Sequence, residues 1–297
     1  MRPKIAPLLA GAHNKQICHQ RMPSGKVLAV LKVVQCIMFP AYIVANFAAF
    51  GLRTFVIPVQ GLINPGGFAI VPTWLGIYGW EIAALFFVAR SDSTITFWRS
   101  YVPVALWCTS NIAEATWSIS NARGPLEPLL PTMIVSTVAL LSLGFATRQA
   151  TGQEYWLSCA PFWFHAGWVT TVTLGSASQQ LASTGADVAT QFNFAFASPL
   201  LACGLVLLAL CLTLATTSRR AVALPFAVSV SWALGGVLAE LSDSGRASAC
   251  PAWAAIGEGG QATLQTVAGV GLAVCVVCAV MSAVAFAREV KSIEASD

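Results

Sequence analysis

Continuous apolar runs of about 20 residues, separated by short polar or charged connections, fill most of the chain. A helix that crosses a bilayer needs about 20 apolar residues, whereas the strands of a transmembrane barrel alternate polar and apolar positions over about 10. The pattern therefore predicts an all-α, polytopic transmembrane helix bundle of about eight spans. The predicted spans are 27–50, 71–90, 101–122, 131–149, 158–183, 191–216, 221–241 and 261–287.

The third span has the weakest apolar pattern, because Asn111 and Glu114 interrupt it. The strongest turn signal is Asn64-Pro65-Gly66-Gly67, and it predicts the end of the first connection just before the second helix.

Composition supports the membrane class. Of the 297 residues, 57% are hydrophobic and 9% are charged, whereas an ordinary soluble domain has about 25% charged residues. The mean hydropathy of +0.72 leaves no polar half for a separate water-soluble domain. These values exclude a nucleic-acid-binding protein, a conventional cytosolic enzyme and a disordered regulator.

The distribution of Lys and Arg predicts the orientation. With eight spans, 12 of the 16 Lys and Arg residues fall on the side that holds both termini, and 3 fall on the other side. Lys32, one turn into the first helix, accounts for the remaining one and can reach the first side. Positive residues prefer the cytosol, so both termini are expected there. The expected organisation is a basic cytosolic tail (1–26), a single transmembrane helical domain (27–287) and a second cytosolic tail (288–297).

Glu81 lies in the middle of the second span, where a charged side chain costs about 2.5–3.5 kcal/mol on insertion scales. Trp74 lies seven residues upstream, on the same helical face. One interpretation is a catalytic or ligand-anchoring acid that lines a cavity and donates or relays a proton. The other is a protonated or paired carboxyl that ties helices together.

Glu114 belongs to a stripe on the third span. Trp107, Asn111, Glu114 and Trp117 follow one another at steps of 4, 3 and 3, which places all four on one side of a helix. The stripe is predicted to face the bundle interior. It is either a binding pocket, with Glu114 as a second candidate catalytic acid, or a polar contact between helices.

The fifth span carries His165, the only histidine in a span, and Trp168 one turn later. A lone histidine is either hydrogen-bonded inside the bundle or part of a ligand site. No second histidine lies nearby, and the two acids stand in no metal-binding motif. The sequence therefore predicts neither a metal nor a cofactor.

Seven tryptophans lie within predicted helices rather than near their ends. They are Trp74, Trp80, Trp107, Trp117, Trp163, Trp168 and Trp232. Interior indoles offer flat apolar walls with one N–H donor each, which suits a rigid polycyclic or planar apolar ligand. Core packing explains any one of them alone. Together with two buried acids, all except Trp232 are taken as candidate ligand-binding residues.

Three segments resemble the translocator-protein or tryptophan-rich sensory protein (TspO) family: Val71–Glu81, Asn111–Trp117 and Pro161–Thr170. They are similar to that family's proline-tryptophan segment, its Asn-x-x-Trp helix and its Pro-Tyr/Phe…Trp-Val helix. The resemblance covers residues 70–185, and this chain has about three spans more than the family's usual five. It implies that tetrapyrroles, sterols or similar apolar molecules bind in an intramembrane pocket.

Trp80-Glu81 also resembles the end of the Asn-x-x-Trp-Glu segment of fungal integral-membrane terpene cyclases, although the Asn is missing here. The late acid of that family has no clear counterpart beyond Glu240 or Asp243. This resemblance implies isoprenoid secondary metabolism in which Glu81, as general acid, protonates an epoxide or olefin. Tryptophan faces would then stabilise the carbocation.

Two functional hypotheses follow, together with a third in which the chain is a purely structural membrane subunit. The first is a pocket that binds or carries an apolar polycyclic ligand (tetrapyrrole, sterol or terpenoid). The alternative is a terpene cyclase. Both the binding and the cyclase hypotheses imply an apolar small molecule or isoprenoid and the lipid bilayer as partners, and neither implies a nucleic acid. A homo-oligomer stays open. The expected location is the endoplasmic reticulum or another endomembrane, if the source is eukaryotic.

Overall fold

The computed structural model describes residues 25–52, 61–90, 101–123, 129–146, 152–215, 223–243 and 250–294, and within these ranges every regular element is a helix. The helices are α1 (Gly25–Leu52), α2 (Gly67–Arg90), α3 (Tyr101–Arg123), α4 (Leu129–Ala146), α5 (Gly152–Ser158), α6 (Ala160–Ser183), α7 (Val188–Ala215), α8 (Ala223–Leu241), α9 (Pro251–Ala255) and α10 (Gly257–Glu294).

Each of the eight predicted segments is helical wherever the structure describes it, except at Cys159, a turn between α5 and α6, and this confirms the all-α prediction. The third segment, whose apolar pattern is interrupted, is one continuous helix, α3. The turn Asn64-Pro65-Gly66 ends at Gly67, the first residue of α2, as predicted. The short helices α5 and α9 were not predicted. Parts of the two tails, residues 1–24 and 295–297, lie outside the described residues. So do six of the loop arginines on which the predicted orientation depends: Arg53, Arg99, Arg148, Arg219, Arg220 and Arg246.

Four of the helices are long and apolar enough to cross a membrane. They are α2 over Ala69–Phe87, α7 over Val188–Leu214, α8 over Ala223–Leu241 and α10 over Gly257–Arg288. Shorter apolar stretches lie in α1 and α4. This is the composition of an integral membrane protein. The sequences of α3 and α6 are less apolar because each of these two helices carries several buried polar side chains.

The central helix of the bundle is α6. From Ala160 to Val172 every side chain is buried except Phe164, which is half-buried. It packs against α4 on one side and α8 on the other, and it also contacts α2, α5 and α7. The neighbouring pairs are α1 with α3 and α3 with α4, while α10 packs against α8 and α7. A helix surrounded by protein on all sides does not need an apolar surface for lipid, so α6 can carry polar groups.

Close approach of helix backbones fixes α6 in this position. At Gly167, a Cβ atom would lie 2.7 Å from the carbonyl oxygen of Phe226 and 2.9 Å from the Cβ of Ser229, both in α8. At Gly144 in α4, a Cβ would lie 2.6 Å from the indole ring of Trp163. Small residues at helix contacts are how membrane bundles bring backbones together. These contacts fix the register of α6 against α4 and α8, and they therefore fix the position of His165 along the bundle.

One of the seven tryptophans that the sequence predicts to be interior is partly exposed. Trp232 in α8 is 44% exposed, so it is not an interior indole, and its N–H donates to the carbonyl oxygen of Ala69 at 3.3 Å.

Candidate functional site

Three ionisable side chains from three helices meet in the bundle interior, and we call them the Glu–His–Glu cluster: Glu81 of α2, His165 of α6 and Glu114 of α3. His165 Nδ1 lies 2.7 Å from Glu81 Oε1, and His165 Nε2 lies 3.0 Å from Glu114 Oε2. The exposed fractions of these three residues are 0%, 0% and 1%. Buried ionisable groups are costly in a membrane and are retained mainly where they serve a function or a polar contact between helices.

Glu114 is surrounded by hydrogen-bond donors. Its Oε1 accepts from the hydroxyls of Ser110 and Ser136, at 2.8 and 2.6 Å. Its Oε2 accepts from the Tyr42 hydroxyl at 2.6 Å and faces His165 Nε2. An ionised carboxylate accepts about four hydrogen bonds and donates none, so this environment fits a carboxylate.

Glu81 has fewer partners. Its Oε1 faces His165 Nδ1, and its Oε2 accepts only the long 3.3 Å hydrogen bond from the Trp107 indole N–H. Since an indole nitrogen only donates, a proton on Glu81 belongs on Oε1, on the line to His165. The two acids therefore differ in their surroundings although both contact the same imidazole.

Aromatic rings enclose the cluster on the α2 side. Trp74 meets the His165 ring edge-on, with centroids 5.7 Å apart, and it stacks on Tyr78 at 5.6 Å. The Trp74 and Trp168 rings are 6.3 Å apart in an edge-to-face arrangement. All these side chains are at least 95% buried. The cluster therefore lies among apolar ring faces, where electrostatic interactions are strong.

Asn111 lies one turn before Glu114 on the same side of α3, with an exposed fraction of 0%. Among the described residues, neither its Oδ1 nor its Nδ2 has a hydrogen-bond partner, and the indole N–H of Trp168 also has none. A buried polar group left unpaired costs about 1–3 kcal/mol. The interior next to the cluster thus contains an acceptor and donors that the described residues leave unpaired.

The other candidate ligand-binding tryptophans lie away from the cluster. The Trp80 indole donates to the carbonyl oxygen of Trp156 at 2.7 Å and stacks on the Trp156 ring, so it faces α5. Trp163 packs against Phe145 and Phe226 between α4 and α8. Trp117 is half-buried near the end of α3. The structure brings together Trp74, Glu81, Trp107, Glu114, His165 and Trp168, with Asn111 beside Glu114.

Sequence reasoning missed the buried polar residues of the first helix. Gln35, Phe39, Tyr42 and Asn46 follow one another at steps of 4, 3 and 4, and all four are buried. Tyr42 binds Glu114, Gln35 accepts from the Cys108 thiol at 2.8 Å, and Asn46 accepts from the Ser118 hydroxyl. These three contacts make a polar seam between α1 and α3. Three polar residues at helical spacing inside an apolar span were the available signal.

Two serines were also missed. Ser110 lies four residues before Glu114, and Ser136 lies on α4. The i to i+4 spacing indicates Ser110, but nothing in the sequence indicates which serine of α4 faces α3.

The cluster does not form a metal centre. The two carboxyl groups bind opposite nitrogens of one imidazole ring, so the three side chains do not converge on a single ion. Within the described ranges, no group of three His, Cys, Asp or Glu side chains is arranged to hold a metal.

Comparison of the chain with protein-family models, with curated proteins and with solved structures found no match. The function is therefore argued from the site itself.

Proposed function

We propose that this chain is an integral membrane protein that binds or carries an apolar ligand inside the bundle, beside the Glu–His–Glu cluster. The observation that carries the proposal is Asn111, a fully buried amide whose two polar atoms have no partner in the part of the chain that the structure describes. A ligand with one polar group would satisfy this amide, while Trp74 and Trp168 supply apolar walls. The proposal includes eight spans with cytosolic termini, which the charge distribution supports, and, if the source is eukaryotic, a location in the endoplasmic reticulum or another endomembrane.

The resemblance to the TspO family is consistent with this proposal. It implies tetrapyrroles, sterols or similar molecules as the ligand, and the three segments that carry it contribute Trp74, Glu81, Asn111, Glu114 and His165. What the structure adds is the contact between these segments. The proposed ligand class is accordingly a rigid apolar molecule with a polar group.

Replacing Asn111 by leucine tests the proposal. Leucine has a similar volume and no polar atoms, so the ligand-free protein is expected to gain about 1–3 kcal/mol in the free energy of unfolding. The same change is expected to lower the amount of apolar molecule that co-purifies with the protein. Unfolding is followed by tryptophan fluorescence, and the bound molecule by mass spectrometry of the purified protein.

The matched control is Ile112→Leu, because Ile112 is the next residue of α3 and is 53% exposed. It should change neither stability nor ligand content. If Asn111→Leu destabilised the protein and left the co-purifying molecule unchanged, the amide would be a structural contact and the binding proposal would be wrong.

One contact supports a second candidate function, a proton-initiated terpene cyclase. A proton on Glu81 Oε1 would pass to an epoxide or olefin of the substrate, and the cation formed would lie against the rings of Trp74 and Trp168. When the product forms, the carbocation would lose a proton, and Glu81 Oε1 or His165 Nδ1, which lie 2.7 Å apart, would accept it, so that the isomerisation consumes no proton overall.

Feeding isoprenoid precursors to cells that express the wild type or Glu81→Gln separates the two functions. For a cyclase, we expect a new isomer of a fed isoprenoid with the wild type and at least a 100-fold loss with Glu81→Gln, since general acid catalysis contributes roughly 10²–10⁴-fold. For a binder, no isomer forms and the variant retains ligand. Full turnover by Glu81→Gln would show that Glu81 is not the acid.

A further inference from the structure

The hydrogen-bond partners of the cluster determine how many protons it holds. Three hydroxyls and the imidazole are arranged to donate to the lone pairs of Glu114, which fits an ionised carboxylate, and the line from His165 Nε2 to Glu114 Oε2 then holds one proton. The Trp107 indole keeps Glu81 Oε2 an acceptor, so the line from Glu81 Oε1 to His165 Nδ1 holds the other proton. Two protons are thus shared among two carboxylates and one imidazole.

This proton count gives the cluster a net charge of −1. The net charge is the same whether this proton lies on the Glu81 carboxyl or on His165 Nδ1, because moving it from one to the other leaves the number of protons in the cluster unchanged. The titratable neighbours are Tyr42 of α1 and Tyr78 of α2, and both are neutral phenols at physiological pH. α4 contributes only the hydroxyl of Ser136. Within the described residues, the ion pairs of both acids are those with His165.

An uncompensated negative charge in a low-dielectric interior costs several kcal/mol. The surrounding indole and phenol rings have negatively polarised faces that attract cations. Glu81 Oε2 has only the 3.3 Å indole contact, so it is the oxygen of the cluster with the most capacity to accept another partner. The unpaired Asn111 Oδ1, on the neighbouring turn of α3 from Glu114, is a further acceptor.

We propose that the ligand carries a positive charge on an apolar body, such as a protonated or quaternary amine, and that its cationic centre binds Glu81 within the Trp74 and Tyr78 rings. This inference rests on the proposed function, because it names the class of ligand for the same site. It follows from the charge of the cluster, whereas the binding proposal follows from Asn111.

A pair of isosteric probes tests it. Benzyltrimethylammonium and neopentylbenzene have the same shape, and they differ in having a cationic nitrogen or a neutral carbon at the branch point. Saturable binding of each is measured by titration calorimetry with the full chain in zwitterionic-lipid nanodiscs, with empty nanodiscs subtracted. We expect the cation to bind at least about tenfold tighter than the neutral isostere, because a desolvated cation is attracted both to aromatic ring faces and to a carboxylate.

Three variants complete the experiment. Glu81→Gln keeps the charge of −1 on Glu114 but removes the carboxylate oxygen that contacts the cation, so it should remove most of the preference for the cation. Trp74→Leu, which leaves both acids in place, should weaken cation binding as well. Glu258→Gln should bind like the wild type, since Glu258 is an exposed acid in the first turn of α10. Co-purifying molecules are identified from the same preparations of wild type and Asn111→Leu.

The outcomes separate the two proposals. Equal binding of cation and isostere, or cation binding that survives Glu81→Gln, would overturn the cationic ligand and leave an apolar ligand in place. Absence of saturable cation binding would also overturn it. Failure of the binding proposal is a different result: no molecule co-purifies with the wild type that is lost in Asn111→Leu.

Discussion

The conservative change Glu114→Gln is expected to lower the free energy of unfolding by about 3–5 kcal/mol, the usual cost of breaking a buried charged pair. Four donors converge on the Glu114 carboxylate, from Tyr42, Ser110, Ser136 and His165. A glutamine amide would replace one of the accepting oxygens by an NH2 group that meets two donors. The variant would also leave the imidazole without an anionic partner on its Nε2 side.

The same change at Glu81 is expected to shift the free energy of unfolding by about 1 kcal/mol or less. A glutamine there can donate from its amide to His165 Nδ1 and accept from the Trp107 indole, so each existing contact keeps a donor and an acceptor. Neutral hydrogen bonds between membrane helices average about 0.6 kcal/mol, so small differences in their geometry cost little.

The measurement is unfolding in mixed micelles with increasing SDS, with Glu258→Gln as the control for removing an exposed acid. The informative quantity is the difference in the free energy of unfolding between Glu81→Gln and Glu114→Gln. Equal losses at Glu81 and Glu114 would contradict the assignment of the negative charge to Glu114. The stability of Glu81→Gln also makes it the suitable variant for the turnover and binding experiments, since a loss of function would not reflect a loss of fold.

Replacing His165 by leucine is expected to cost about 3–5 kcal/mol as well, since it removes the group between two buried acids. Adding Glu81→Leu to this variant should recover part of the loss, because an acid without a partner is replaced by an apolar side chain. The double variant is therefore expected to be more stable than His165→Leu alone.

A double-mutant cycle of His165→Leu and Glu81→Leu measures this effect. Residues that share a hydrogen-bond network show interaction energies of about 0.5–3 kcal/mol. A strictly additive cycle, with no interaction energy, would mean that the 2.7 Å contact between Glu81 and His165 contributes nothing to the fold.

The cationic-ligand proposal and the cyclase alternative require the same electrostatics. A carbocation is a positive centre on an apolar body, and it would be stabilised by the same charge and ring faces as a bound amine. Tighter binding of the charged probe would therefore be compatible with both. Only the appearance or absence of a Glu81-dependent isoprenoid product separates a binder from an enzyme.

The sequence was sufficient for the helical class and for the main polar residues of the interior. Apolar runs predicted all eight long helices, because a helix satisfies its own backbone hydrogen bonds and its length follows from the run. Glu81, Glu114 and His165 were conspicuous because ionisable residues are rare in apolar spans. The α3 stripe predicted that Trp107, Asn111 and Glu114 face inward, and all three are buried.

The interaction partners could not be predicted from the sequence. Glu81 and His165 are 84 positions apart, and helical spacing gives the face of a residue on its own helix but not the helix that it meets. The same limit applies to the tryptophans. Trp80 and Trp74 lie on one helix, yet Trp74 contacts His165 and Trp80 contacts α5.

Local residue chemistry thus determined that this protein is a bundle of apolar helices with a few costly polar groups inside it. Tertiary structure alone decided that two of the acids share one histidine, that Tyr42 and two serines complete the environment of Glu114, and that Asn111 is left unpaired. The physical reason is that a run of apolar residues specifies a helix locally, whereas the packing of α6 against α4 and α8 depends on close contacts such as the one at Gly144.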